Sequence, residues 1–201
     1  MDKKALDLES AKELLFSKMQ NQNLRRHCMG VGKTLAAFWD FYNQAGRKNE
    51  MGALSKEEWE ITGMLHDSDY EFTKDDPAKH VVTLIEWLEE YDIKEELLNA
   101  LKSHNNKTVH LRSPQTLLEW TLECCDELTG FIVAVALILP DKKLAGVTVD
   151  SVIKRFGQPA FARAVEREQI IQCNDKCGVP VENFVEVTLK AMQDNASLLG
   201  L

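Results

Sequence analysis

The chain has 201 residues, 44% hydrophobic and 28% charged, the balance of a globular protein with a filled core rather than a disordered segment. Its formal net charge of −8 argues against a nucleic-acid backbone or an anionic membrane as the main partner, but leaves room for a small phosphorylated substrate in a locally basic cleft. Five cysteines in no regular framework point to reduced thiols and a cytoplasmic protein.

The N-terminal stretch MDKKALDLESAKELLF mixes charges with leucines and has no signal-peptide core. RRHCMGVGKT, residues 25–34, ends like a phosphate-binding loop. Counting back from Gly32, however, puts His27 where the first glycine of that motif must stand. The preceding SKMQNQNLRR is polar and helical, not a buried strand, so Gly-Lys-Thr is read as helix. On that helix His27 shares a face with Leu24, Val31, Thr34 and Leu35 and points to the core.

Ser55 and Glu58 form a capping box ahead of Trp59, Ile61 and Leu65, and His66 ends that helix with Asp67 beside it. Asp76-Pro77 predicts the next start, with His80 in a stripe with Leu84 and Trp87. Asp92 with Glu95 reads as a second box leading into Leu97, Leu98 and Leu101, and His104 follows at helical spacing. His110 falls in a polar turn. Ser113-Pro114 predicts the start of a helix bearing the stripe Leu122, Asp126, Thr129 and Val133. The apolar run Phe131–Pro140 is too short to span a bilayer and reads as buried helix. Breaks fall near 44–54, 68–76, 105–113, 140–150 and 173–180. Cys173 and Cys177 have no second pair to complete a zinc site and read as buried thiols.

Apolar spacing of three and four, with no alternating strand pattern, repeat or low-complexity segment, predicts an all-α single-domain bundle of about eight helices over 1–201. Its core spans about 20–140 and a C-terminal helical extension about 141–201.

Four of the five histidines thus face inward from separate helices, and Asp126 would be costly in its stripe without a cation. Imidazole and carboxylate together suit Mn, Fe, Co, Ni or Zn better than Ca. Lys79, Lys102 and the cluster Lys154, Arg155, Arg163 and Arg167 are candidate phosphate-binding groups, with Arg163 and Arg167 expected on one helical face. Tyr70, Glu71 and Thr73 are placed at the pocket mouth, Trp87 and Trp120 in the core.

The order His27, His66-Asp67, Asp126, each from its own helix, resembles the HD superfamily of metal-dependent phosphohydrolases. HDSDYEFTKDDPAKH (66–80), ALKSHN (100–105), CDELTGFIVAVALILP (125–140), SVIKRF (151–156) and FARAVERE (161–168) are similar to a subgroup of predicted HD hydrolases, over nearly the whole chain from about residue 24. The resemblance implies that His27, His66, Asp67 and Asp126 hold one metal, and that Asp67 bridges to a second held by His80 and His104. One or two metals remain open, and Asp67, His80 and His104 are the catalytic candidates. The Gly-Tyr-Pro signature of the cyclic-dinucleotide branch is missing after the dyad, where Asp69-Tyr70-Glu71 stands. The expected activity is hydrolysis of a small phosphate ester, a nucleotide or related metabolite, through a metal-activated water. The alternatives are a diiron oxygenase on the same scaffold and a non-catalytic metal- or nucleotide-binding sensor.

Overall fold

The long helices begin where side chains can cap them. In the computed structural model, which describes residues 3–201, Asp7 with Ser10 caps α1 (Leu8–Lys18) and Asn21 caps α2 (Gln22–Gln44). Ser55 with Glu58 forms the expected box on α3 (Lys56–Leu65), whose C-cap is His66. Short segments follow: α4 (Tyr70–Thr73), a 3₁₀ turn at Pro77–Lys79, and α5 (Val82–Leu88). Then come α6 (Glu95–His104), α7 (Asn106–Val109) and the 21-residue α8 (Leu117–Leu137). The C-terminal part holds α9 (Val149–Phe156), α10 (Arg167–Ile171), α11 (Cys173–Lys176), α12 (Val181–Asp194) and α13 (Ala196–Leu199).

The all-α reading holds in outline. Seven of these helices reach eight residues and the others are one or two turns long, so the expectation of about eight compresses a more broken chain. Three predicted starts differ. The Asp92/Glu95 box does not form, because Asp92 pairs in a two-residue strand and Lys94 takes the cap position of α6 without a side-chain bond. Ser113-Pro114 lies before the true start of α8, which a Thr116/Glu119 box sets. Asp76 makes no capping bond to the 3₁₀ turn after it. The periodicity also missed a small parallel pairing of β1 (Lys4–Ala5) with β2 (Tyr91–Asp92); two residues are too few to alternate.

α2 is the axis of the fold, flanked by α3, α8, α12 and α13, while α6 closes on α3 and α8. Phe38 and Tyr42 of α2, Trp59 of α3, Phe131 of α8 and Phe184 of α12 are fully buried. The Tyr42 hydroxyl lies 3.1 Å from that of Thr121, so its buried oxygen is satisfied. Trp87 and Trp120 pack at the edge of this core.

α2 and α3 touch backbone to backbone. A Cβ on Gly32 would lie 2.8 Å from the Glu60 carbonyl oxygen, and one on Gly63 would lie 2.7 Å from the Gly32 nitrogen. Within the Gly-Lys-Thr run, Lys33 pairs with Glu60 of α3 at 2.5 Å and Thr34 donates to the Gly30 carbonyl at 2.9 Å, as helix residues do. The end of the Phe131–Pro140 run is not buried: Leu137 and Ile138 are about half exposed, at 49% and 50%. No helix among the described residues is long and apolar enough to cross a membrane.

Candidate metal centre

The crossing of α2 and α3 at glycines brings His27, in the second turn of α2, against the end of α3, where the chain releases His66 and Asp67 in succession. α8, packed against α2 and α6, carries Asp126. The four side chains form one group whose ligand atoms lie within 4.8 Å of one another, and Asp67, His80 and His104 form a second under the same limit.

Asp67 divides its oxygens between the two groups. Oδ2 lies 3.8 Å from His27 Nε2 and 3.6 Å from His66 Nε2, while Oδ1 lies 3.1 Å from both His80 Nε2 and His104 Nε2. Asp126 Oδ1 stands 2.9 Å from His27 Nε2 and 3.4 Å from His66 Nε2.

The imidazoles are held from behind. His66 Nδ1 sits 2.7 Å from the Gly63 carbonyl, which only accepts, so Nδ1 carries a proton and the ring turns its Nε2 into the cluster. That Nε2 is fully buried and completes no hydrogen bond. His80 Nδ1 bonds to Asp69 Oδ1 at 2.7 Å, and Asp69 Oδ2 accepts from the Val81 and Leu84 amides at 2.8 and 3.0 Å. Asp69 therefore orients His80 and caps α5 at once. Val81 is pinned with a left-handed φ of 72° in a fully buried position. His104 Nδ1 faces Glu123 Oε1 at 3.4 Å, and Gln169 of α10 donates to the other Glu123 oxygen at 3.1 Å.

Without an ion, these groups charge one another. Burial opposes charge throughout, yet the surrounding imidazoles hold Asp67 well below the ordinary carboxylate range and depress Asp126 too. Burial likewise works to lower His27, His80 and His104, but is overcome by Asp126 at His27, by Asp67 and Asp69 at His80, and by Asp67 and Glu123 at His104, which ends well above the usual imidazole value. Burial raises Glu123, with His104 opposing.

Two carboxylates, a bare buried imidazole nitrogen and three further imidazoles, with no thiolate in either group, make a donor set that fits one or two borderline transition ions. His66 is sealed at 0% side-chain exposure, whereas His27 is open at 23%, so access lies on the His27 side. A larger cavity of about 620 Å³ lies elsewhere, beside the start of α8, and its Arg47 and Arg112 already pair with Glu50 and Glu119.

Of the other sequence candidates, Lys79, Lys102, Arg163 and Arg167 do not converge on the centre. Tyr70 does: its ring meets His80 edge-on at 5.7 Å and is partly exposed. Lys79 points away, pairing with Asp76 at 3.1 Å, and Lys102 makes no polar contact with the six residues. Arg163 and Arg167 share no helical face, because 159–165 is a run of turns and α10 begins only at Arg167. Arg163 is exposed; Arg167 instead gathers the carbonyls of Phe156, Gln158, Phe161, Ala162 and Val165 and stacks on Phe131 at 5.0 Å. The role of Glu123, and that of Asp69 behind His80, were missed. Glu123 carries a visible signal, one turn before Asp126 on an apolar helix; Asp69 carries none beyond following the dyad. The chain matches no family model, no curated protein and no solved structure.

Proposed function

We propose that this protein is a metal-dependent phosphohydrolase of the HD type, with two divalent transition ions resident in the cluster and a small phosphate ester as substrate. The observation that carries the reading is the position of Asp67, one oxygen toward His27 and His66 and the other toward His80 and His104. His27, His66, Asp67 and Asp126 would hold the first ion; Asp67, His80 and His104 the second. Such ions supply Lewis acidity toward a phosphate oxygen and a bound water whose pKa drops from ~15.7 towards ~7.

The chain's own residues supply the rest. Asp67 stays anionic at neutral pH and lends one charge to both groups. The Gly63 carbonyl and Asp69 fix the Nδ1 protons of His66 and His80, so each ring meets the cluster through Nε2. With a single ion bound, His80 and His104 carry protons at Nε2 beside Asp67 and serve the departing alcohol oxygen. The buried His66 wall keeps bulk water to the His27 side, where substrate enters. Five free, buried cysteines accord with a cytoplasmic location.

The test is elemental analysis of the purified protein followed by a phosphate-release screen with the matched ion. The expected result is up to two transition ions per chain and ion-dependent phosphate release that Asp67→Ala abolishes. Bound iron with oxygen consumption and no phosphate release would replace this reading with an oxygenase.

A further inference from the structure

Gly130 lies inside α8, four residues past Asp126, and a Cβ there would meet nothing within 4 Å. A glycine inside a helix weakens it, and here no packing neighbour demands one, unlike Gly32 and Gly63. What the missing side chain leaves is space: Gly130 lines a cavity of about 410 Å³, well within the size of small-molecule sites. Its walls are Gly30, Gly130, Val133, Leu137, Met192 and Leu199, so α2 and α8 form two sides and the C-terminal helices close it. His27 lines the same cavity and also belongs to the first ligand group, so the cavity adjoins the centre on its open side.

The lining decides what fits. It contains no phenylalanine, tyrosine or tryptophan, so nothing stacks on a nucleobase. Its polar side chains besides His27 are Asn23, Arg26 and Thr129, and the Thr129 hydroxyl already donates to the Asp126 carbonyl at 2.9 Å. Asn23 and Arg26 are both exposed and stand toward solvent. Aliphatic walls instead suit a hydrocarbon chain, and the half-exposed Leu137 extends them toward solvent. The Arg26 guanidinium lies across Gly200 and lines the same cavity as His27, offering a cation to an anion held there.

Resting on the reading of the centre as a phosphohydrolase, we propose that its substrate is a phosphate monoester of an aliphatic alcohol, with the alkyl chain seated between Gly30 and Gly130 and the phosphate at His27 and Arg26.

Binding of methyl-, butyl- and octylphosphonate to the manganese-loaded protein, followed by calorimetry, tests this without relying on turnover. Affinity should rise about fourfold per added methylene until the cavity is full. Gly130→Leu should collapse the difference between octyl and methyl, while Gly130→Ala, whose Cβ meets nothing, keeps most of it and checks the fold. Chain-length dependence that Gly130→Leu removes, without phosphate release from the matching alkyl phosphates, supports the pocket and sinks the hydrolase reading. Affinity independent of chain length, or unaffected by Gly130→Leu, overturns the pocket even where nucleotides are hydrolysed.

Discussion

Gly32 and Gly63 meet where α2 crosses α3, so closely that a side chain on Gly63 would lie 2.7 Å from the Gly32 backbone nitrogen. The neighbours are backbone atoms, which cannot rotate aside. Gly63→Ala should therefore push the helices apart and cost about 1–3 kcal/mol, read as a lower midpoint in urea unfolding. Gly130→Ala is the control, expected to be neutral or to stabilise by about 0.5–1 kcal/mol. Equal effects at the two positions would mean that the crossing is not backbone to backbone.

Removing the shared charge should empty both groups, whereas removing Asp126 should empty one. Asp67→Asn keeps the shape but not the anion, and is expected to leave the purified protein without stoichiometric metal. Asp126→Asn should retain binding at the His80–His104 side. Elemental analysis of both variants beside the parent gives the answer; full metal content in Asp67→Asn would contradict the bridging geometry.

Asp69 is a positioning residue, and its effect should be selective. An asparagine there offers one acceptor in place of two, so it loses either the His80 contact or the amides of Val81 and Leu84. Asp69→Asn should weaken the second ion about 10–100-fold while sparing the first, and lower stability by about 1–3 kcal/mol. A metal titration showing two steps that still coincide would rule this out. Glu123→Gln is expected to act the same way through His104.

The stability of the metal-free protein and the stabilisation by added metal should run in opposite directions with pH. Depressed carboxylates such as Asp67 and Asp126 stabilise the fold above their unfolded values near ~3.9, and that contribution is lost as pH falls through the folded values. Raised imidazoles such as His27, His80 and His104 stabilise it fully below ~6.5, and that contribution is lost as pH rises through their folded values. The metal-free protein should thus melt at lower temperature as pH climbs from about 6 to about 9. Metal ligation needs the same rings deprotonated, so the increase in melting temperature on adding manganese should grow over that interval. A metal-free melting temperature that rises with pH would show that these imidazoles are not charged in the apo fold.

The helical nature of the chain was legible because period-three spacing and capping side chains are local properties, and Ser55-Glu58 marks α3 to the residue. The helix-end position of His66-Asp67 was legible for the same reason. Starts set by competition were not. Ser113-Pro114 and Thr116 both offer a cap ahead of α8, and Thr116 prevails because Glu119 completes its box, a second local signal in competition with the first. Arg167 shows the limit most plainly: a cation near other cations reads as an anion clamp, but the turns at 159–165 expose carbonyls that claim its donors first. Glu123 and Asp69 touch rings 19 and 11 residues away in sequence, contacts that no local spacing encodes.

Val81 holds a left-handed φ of 72° although its side chain branches at Cβ, a conformation costing on the order of 1–3 kcal/mol, while full burial of that side chain returns about 1.5–3 kcal/mol. Shortening it to alanine forfeits burial and keeps the steric conflict; deleting it to glycine forfeits more burial but releases the conflict. Glycine should therefore be tolerated at least as well as alanine, a reversal of the usual ranking. The glycine variant would also let the preceding imidazole swing, trading the sharp aim of one side chain for an easier backbone.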